Sequence, residues 1–558
     1  MKITGSHLIV QALRVEGIDQ IFTLAGDHTL HLMDVMAEEG FKFIDTRHEQ
    51  AAVDMANAWG RITGSPGISM FTSPGHVNAI PGLALAYHME SPVINITGSA
   101  AQNQLGQGIA QQEIDQVGMA KPITKESWFI SDPYRIPEYF ARAFRTALTG
   151  RRGPIHLTIP VDVQSAEVDT SRVHFDPPEV YRRSGQVMGD PILVTEAIEL
   201  LQSAQRPMVL AGNATDSVNR EDLQRFLEIT QLPLFTEEIA RGLVPDSHPY
   251  CFGFADGRVN LVSRRLDEAD VVLLLGKKLD FTISFGGPPT LAADVRIIQV
   301  DPSVDQIGLS RSVDVGILGD VGAVVKQLAQ EAEGYRWNEP AIVEELRSTR
   351  DAQEQDLDSR AAPSTPLHAM SVHKHLRSLL GENDCLIFEG SDFSFYGTPY
   401  YPSLRPRRWF TNSTLGMIGW GVSYGVGAQA ALPQSKVVVL TGDGAFGFSA
   451  MELDTAVRHN LPVVIVIGND SVWGIDYHQQ VQLFGKSVAT ELLPTRYDKV
   501  AEALGAHSEY VEEAHQLRGA LERALASDKP ALVNVQIQAN PSPLTEYIIE
   551  RKTAFTGK

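Results

Sequence analysis

Cysteine is almost missing: 558 residues carry two, Cys251 and Cys385, far apart in the chain. That excludes a disulfide framework and a cysteine-built zinc site, and it suits a reducing cytoplasm. Long apolar runs are missing too. None reaches the ~18 residues of a membrane span, and Ile9–Arg14 is too short and interrupted for a signal sequence. Positive charge is in deficit, with 47 Lys plus Arg against 68 Asp plus Glu and a net charge of −21. Nucleic acid and anionic membrane are therefore poor main partners. One basic cluster, Arg405-Pro406-Arg407-Arg408, could hold a small anion.

What is present is an ordinary globular composition, 43% hydrophobic and 21% charged, long enough for several cores. Short apolar runs alternate with helical patterns, which predicts an α/β protein with mainly parallel, doubly wound sheets. Three blocks are expected. The first, 1–170, has strands at Gln20–Leu24, Phe41–Asp45, Ile68–Thr72, Val93–Thr97 and Ile155–Ile159. A polar stretch, Pro177 to Arg183, follows. The second, 190–345, has strands at Met208–Ala211, Leu234–Thr236, Val271–Leu275 and Ile297–Val300. An acidic segment, Ala352–Ser359, and the turn-rich Ala362–Pro366 close it. The third, 366–545, has strands at Cys385–Phe388, Val437–Leu440, Val463–Ile467 and Leu532–Val535. The tail, 546–558, reads as a lid or a disordered end. The first and third blocks open alike, with a helix and a strand ending in Gly then an acid (Gly26-Asp27; Gly390-Ser391-Asp392). Two related domains flanking a different one would account for this.

The sharpest motif runs from Lys436 to Gly447. Apolar residues lead to Gly442-Asp443-Gly444-Ala445, and a helical pattern follows. In open α/β sheets such a strand end binds phosphate on backbone N–H groups. The next strand ends at Gly468-Asn469-Asp470, 470 − 443 = 27 positions on, the length of one βαβ crossover. Asp443 and Asp470 would then share one rim of a sheet. With the Val472 carbonyl, phosphate oxygens and water they make an oxygen octahedron suited to magnesium.

This pattern resembles the signature of thiamine-diphosphate-dependent enzymes, with Asp470 where the commonest form has a second Asn. The resemblance implies thiamine diphosphate and Mg2+ as cofactors. It also implies pyrimidine-binding, central and pyrophosphate-binding domains in the three blocks, with Gly442, Asp443, Gly444, Ala445, Asp470, Trp473 and Gly474 around the diphosphate. In Arg47-His48-Glu49-Gln50-Ala51-Ala52, residue chemistry alone gives a first-turn glutamate favoured by the helix dipole. The resemblance makes Glu49 the group that shares a proton with the aminopyrimidine N1′. Likewise Leu415-Gly416-Met417-Ile418-Gly419 reads on its own as a glycine-rich helix entry with an apolar plug. In the family, Ile418 would be the wedge that bends the cofactor, and the Gly416 carbonyl would accept from its 4′-amino group.

Within the family the chain is similar to the group of acetolactate synthases, benzaldehyde lyases, oxalyl-CoA decarboxylases and 2-hydroxyacyl-CoA lyases. Ile114–Lys125, and Trp473-Gly474 with His478-Gln479-Gln480, are similar to benzaldehyde lyase. Leu279–Pro289 looks like the stretch of the CoA lyases that handles ADP or CoA, so ADP, CoA or FAD could occupy the central domain. Acetolactate synthases carry Gly-Gly near position 26, whereas here the loop is Gly26-Asp27-His28. The resemblance implies proton transfer by His28 and His76, and substrate orientation by Gln112 in the Gln111-Gln112 region. On residues alone each histidine also reads as a loop residue with an ordinary partner. The resemblance also implies a small-molecule substrate: the expected activity is lysis or ligation of a carbon–carbon bond in a 2-hydroxyacyl-CoA or 2-hydroxyketone, through an enamine intermediate. The alternatives are acetolactate-synthase-like condensation of 2-keto acids, or 1,2-diketone hydrolysis. A homotetramer, a dimer of dimers, is implied by the same likeness.

Overall fold

The computed structural model describes residues 3–108, 110–182 and 185–556. Arg183, in the expected polar stretch, and Gly557 and Lys558, at the end of the expected tail, lie outside the described residues. Each of the three sheets has six strands, and all their pairings are parallel.

The first sheet holds β1 Gln20–Thr23, β2 Lys42–Asp45, β3 Gly67–Phe71, β4 Val93–Ser99, β5 Glu126–Phe129 and β6 Ile155–Pro160, in the order 2-1-3-4-6-5. The second holds β7 Pro207–Ala211, β8 Leu234–Thr236, β9 Cys251–Phe254, β10 Val271–Leu275, β11 Arg296–Asp301 and β12 Val315–Leu318, in the order 12-11-10-7-8-9. The third holds β13 Cys385–Phe388, β14 Trp409–Thr411, β15 Val437–Gly442, β16 Val464–Asn469, β17 His507–Val511 and β18 Ala531–Gln536, in the order 14-13-15-16-18-17. The first and third orders are the same once the numbering is shifted, which is the faint sequence repeat made explicit. The second differs, and its order is that of a dinucleotide-binding sheet. In each sheet the central strands are buried on both faces, as continuous Val/Ile/Leu runs require.

The chain forms two compact units. One comprises Met1–Gly185 with Val422–Pro433 and Ser449–Leu461; the other comprises the remaining segments. Two pieces of the third sequence block thus pack with the first sheet. Gly427 lies so close to the helix Glu49–Thr63 that a Cβ there would stand 2.5 Å from the Met55 Cα.

Several sequence expectations are corrected. The acidic segment Ala352–Ser359 lies within a regular helix, Ile342–Arg360, which buries Gln353 and Leu357. Most of the tail is helical as well, over Pro543–Thr556. The basic cluster is spent within the fold, with Arg405 2.6 Å from Glu382 and Arg407 2.8 Å from Asp216. Both cysteines are free and buried. Among the described residues no helix is long and apolar enough to cross a membrane.

Candidate active site

Each unit gathers one set of the motif residues at the carboxyl ends of its strands. In the first unit the helix Ser73–His88 follows β3, and its first turn is the meeting point. Glu49 opens the helix Glu49–Thr63, capped by His48. Its Oε2 accepts from Asn78 Nδ2 at 2.9 Å. Gly75 lies so near that a Cβ would stand 2.9 Å from Glu49 Oε1. On the same turn, Ser73 Oγ lies 3.3 Å from His28 Nδ1. Gly26 abuts Thr72, whose Cγ2 would be 2.4 Å from an added Cβ. The first turn of one helix therefore touches both Glu49 and His28. His28 lies in a 3-10 turn, Asp27–Thr29, beyond β1, and is buried. Burial holds its imidazole below the usual histidine range, against the upward pull of the Asp27 charge. The ring is therefore neutral at pH 7.

His76 is not with them. The sequence placed it in a loop facing the chemistry, but it lies inside the helix Ser73–His88 and is fully buried. Its Nε2–H donates to the Gln116 carbonyl at 3.1 Å, and its Nδ1 lies 3.2 Å from Asn95 Oδ1. The ring packs on His156 with centroids 4.2 Å apart. Burial pushes its pKa down to about 4. Enclosed in the core and held through Nε2, it packs as a structural residue. Gln112 is half-buried in a left-handed backbone conformation (φ 63°), and its Oε1 is shielded from solvent with no hydrogen-bond partner.

In the second unit β15 and β16 pair in register, Gly442 opposite Gly468. Asp443 and Asp470 follow their ends, so the two carboxylates occupy one rim. Asp443 is almost wholly buried, and its Oδ2 has no hydrogen-bond partner. Burial pushes its pKa up to about 6, opposed by N–H groups of Gly444 and Ser471. Asp470 is raised well above the carboxylate range by burial, then by the Asp443 charge beside it, while the Val472 N–H donates to its Oδ1 at 3.2 Å. Two crowded, desolvated carboxylates with an orphaned oxygen fit a divalent cation. No group of three or more His, Cys, Asp or Glu suited to a metal exists among the described residues, so the remaining ligands must be backbone, water or a bound phosphate.

The glycines of this motif answer to close approaches. A Cβ on Gly444 would stand 2.6 Å from the Trp473 ring, one on Gly474 2.6 Å from Asp392 Oδ2, and one on Gly442 2.8 Å from Ser391 Cβ. Ala445 is buried beside them. Gly416 has φ 67° and open space about its Cα, and Ile418 is half-buried against Gly390.

Several residues outside the predicted site build these surroundings. Glu389, fully buried, accepts N–H groups from Gly419 at 2.6 Å and Gly421 at 2.9 Å and the Thr441 hydroxyl at 2.7 Å. It thereby fixes the loop that carries Gly416 and Ile418. Glu452 accepts the Arg47 N–H at 3.0 Å and so fixes the approach to Glu49. Asp392 ties the last helix to the third sheet, accepting from Ser542 Oγ at 2.5 Å and Thr545 Oγ1 at 2.6 Å. In the central sheet Lys277 is buried and neutralised by Asp280 at 2.7 Å and Glu237 at 3.0 Å. Phe281 and Phe285 nearby are exposed.

Comparison with known proteins matches all three domains. The descriptions of thiamine pyrophosphate enzymes match as the N-terminal TPP binding domain over residues 3–119, the central domain over 194–328 and the C-terminal TPP binding domain over 390–535. An acetolactate synthase large subunit of Mycobacterium tuberculosis is 36% identical, covering 95% of each chain. Oxalyl-CoA decarboxylase of Escherichia coli is 33% identical over 97% of this chain and 96% of its own. Human 2-hydroxyacyl-CoA lyase 1 is 29% identical over 96% and 95%.

Proposed function

Because the chain belongs to the thiamine pyrophosphate enzyme family, we propose that it is a thiamine-diphosphate-dependent carbon–carbon lyase or ligase acting on a 2-hydroxyacyl-CoA or a 2-hydroxyketone. Asp443, Asp470 and the Val472 carbonyl would hold Mg2+, and the backbone of Gly442–Ala445 with Trp473 and Gly474 would receive the diphosphate. The Gly416 carbonyl would accept from the 4′-amino group, and Ile418 would support the thiazolium. Glu49, with one oxygen fixed by Asn78, would hold a proton against N1′. When bound, thiamine diphosphate supplies a nucleophilic carbon and an electron sink.

The remaining work falls to His28 and Gln112. His28 would accept the proton of the substrate hydroxyl next to the bond that breaks, and return it in the reverse direction. Gln112 would orient that oxygen, its amide N–H donating to it while the hydroxyl hydrogen goes to His28. The observation that carries the lyase reading is His28, a neutral imidazole against Ser73, whose helical turn also packs on Glu49, in a loop where acetolactate synthases carry Gly-Gly near position 26. Purified protein with thiamine diphosphate and Mg2+ is expected to release aldehyde from a 2-hydroxyacyl-CoA or a 2-hydroxyketone with saturation. Acetolactate from pyruvate as the sole efficient product would replace this reading with a second one, condensation of 2-keto acids. That reading is favoured by the 36% identity to an acetolactate synthase.

A further inference from the structure

His28 lies against a buried relay of two polar side chains, Ser73 and Gln116. Gln116 and Ser73 are both buried. Gln116 Nε2 donates to Ser73 Oγ at 2.9 Å and to the Gly98 carbonyl at 3.2 Å. Ser73 Oγ donates to the same carbonyl at 3.2 Å and lies 3.3 Å from His28 Nδ1. The imidazole itself is fixed from its backbone. Gln164 Nε2 donates to the His28 carbonyl at 2.9 Å, and a Cβ on Gly98 would stand 2.2 Å from that oxygen. The backbone from which the ring projects is therefore held in place beside Ser73.

The hydrogens of this cluster can be counted. The Gln116 amide has two, the Ser73 hydroxyl one, and a neutral imidazole one. If the ring hydrogen sits on Nε2, Ser73 must turn its hydrogen to Nδ1 and give up Gly98, and only three of the four contacts survive. With the hydrogen on Nδ1, His28 and Gln116 both donate to Ser73 Oγ. Ser73 and Gln116 then both donate to the Gly98 carbonyl, which has two lone pairs. All four contacts are made at once, and buried polar groups favour that assignment. Nε2 then carries a lone pair and has no hydrogen-bond partner among the described residues.

We infer that Ser73 and Gln116 are positioning residues that lock neutral His28 as the Nδ1–H tautomer, leaving Nε2 as the proton acceptor for a substrate hydroxyl. The use of that lone pair rests on the function proposed above; the tautomer itself does not. The test is ¹⁵N NMR of histidine-labelled full-length protein, with and without thiamine diphosphate and Mg2+. The His28 signals are assigned by their loss in His28→Gln. Wild type is expected to show a protonated Nδ1 and an unprotonated Nε2 at pH 7. In Ser73→Ala, His28 is expected to move towards the Nε2–H form while cofactor affinity stays within about threefold. Turnover should fall about 10- to 100-fold, less than the ~100- to 10,000-fold that a general base itself supplies. An Nε2–H signal in wild type overturns the assignment, and needs no variant to fold. An unchanged tautomer in Ser73→Ala overturns the positioning role. An Nδ1–H tautomer that shifts as expected in a protein unable to bind thiamine diphosphate upholds the relay and rejects the functional reading instead.

Discussion

Replacing Glu49 with Gln preserves the size of the side chain and its contact with Asn78, but removes the group that would hold a proton against N1′. Glu49→Gln is expected to bind thiamine diphosphate within a few-fold of wild type and to lose at least about 100-fold in turnover; steady-state rates beside a binding titration separate the two. Asp470→Asn keeps an oxygen at the rim and removes the charge that crowds Asp443. Magnesium-dependent binding is expected to survive within about tenfold, measured by fluorescence quenching on cofactor addition. Glu49, Asp443 and Asp470 could be picked out in the sequence because each sits in a local strand-turn-helix context. The roles of Ser73, Gln116, Glu389 and Glu452 could not be. Glu452 meets Arg47 across 405 positions, and Glu389 reaches Gly419 across 30. Nothing local marks a carboxylate whose partners are distant backbone N–H groups. His76 failed in the opposite way: a histidine after a strand looks exposed until its burial is known.

At the level of elements, Gly444 is held by the Trp473 ring rather than by its dihedral angles. Gly444→Ala must push the indole aside, a misfit of about 1–3 kcal/mol. It should lower the melting midpoint and weaken cofactor binding together, and an unchanged midpoint would show that the ring yields freely. The same scale explains which strands could be read in advance. Every interior strand was visible as an apolar run. The strands that escaped, β5, β9, β12, β14 and β17, all lie at sheet edges. β17, His507–Val511, buries only its last residue, and β5, Glu126–Phe129, buries none fully. An edge strand needs no continuous apolar run, so its pattern merges with loop. The helix Ile342–Arg360 escaped for a similar reason, its apolar stripe being sparse among acids.

Over the whole molecule, buried neutral histidines oppose buried raised carboxylates as pH falls, so a single melting curve mixes both. A variant separates them. His76 is held at about 4 in the folded chain, against an ordinary value near ~6.5 when unfolded. Above pH 6.5 its full contribution is present. Between 6.5 and 4 the unfolded chain takes up a proton that the folded chain refuses, so stability falls with pH, by on the order of 3 kcal/mol in all. His76→Gln is expected to melt below wild type at pH 7, with the gap narrowing towards pH 4.5; a constant gap would contradict a buried neutral ring. The repeated strand order of the first and third sheets could be sensed in the sequence only as two similar openings, because the repeat is one of topology rather than of side chains.

The claim on which the rest depends is that Asp443 and Asp470 bind a divalent cation that in turn holds a diphosphate. Isothermal titration of thiamine diphosphate into the purified chain tests it directly, with Mg2+, with a chelator, and in Asp443→Ala. Micromolar binding with Mg2+, weakened at least about 100-fold by the chelator and by the substitution alike, is the predicted result. Equal affinity in all three titrations would contradict it.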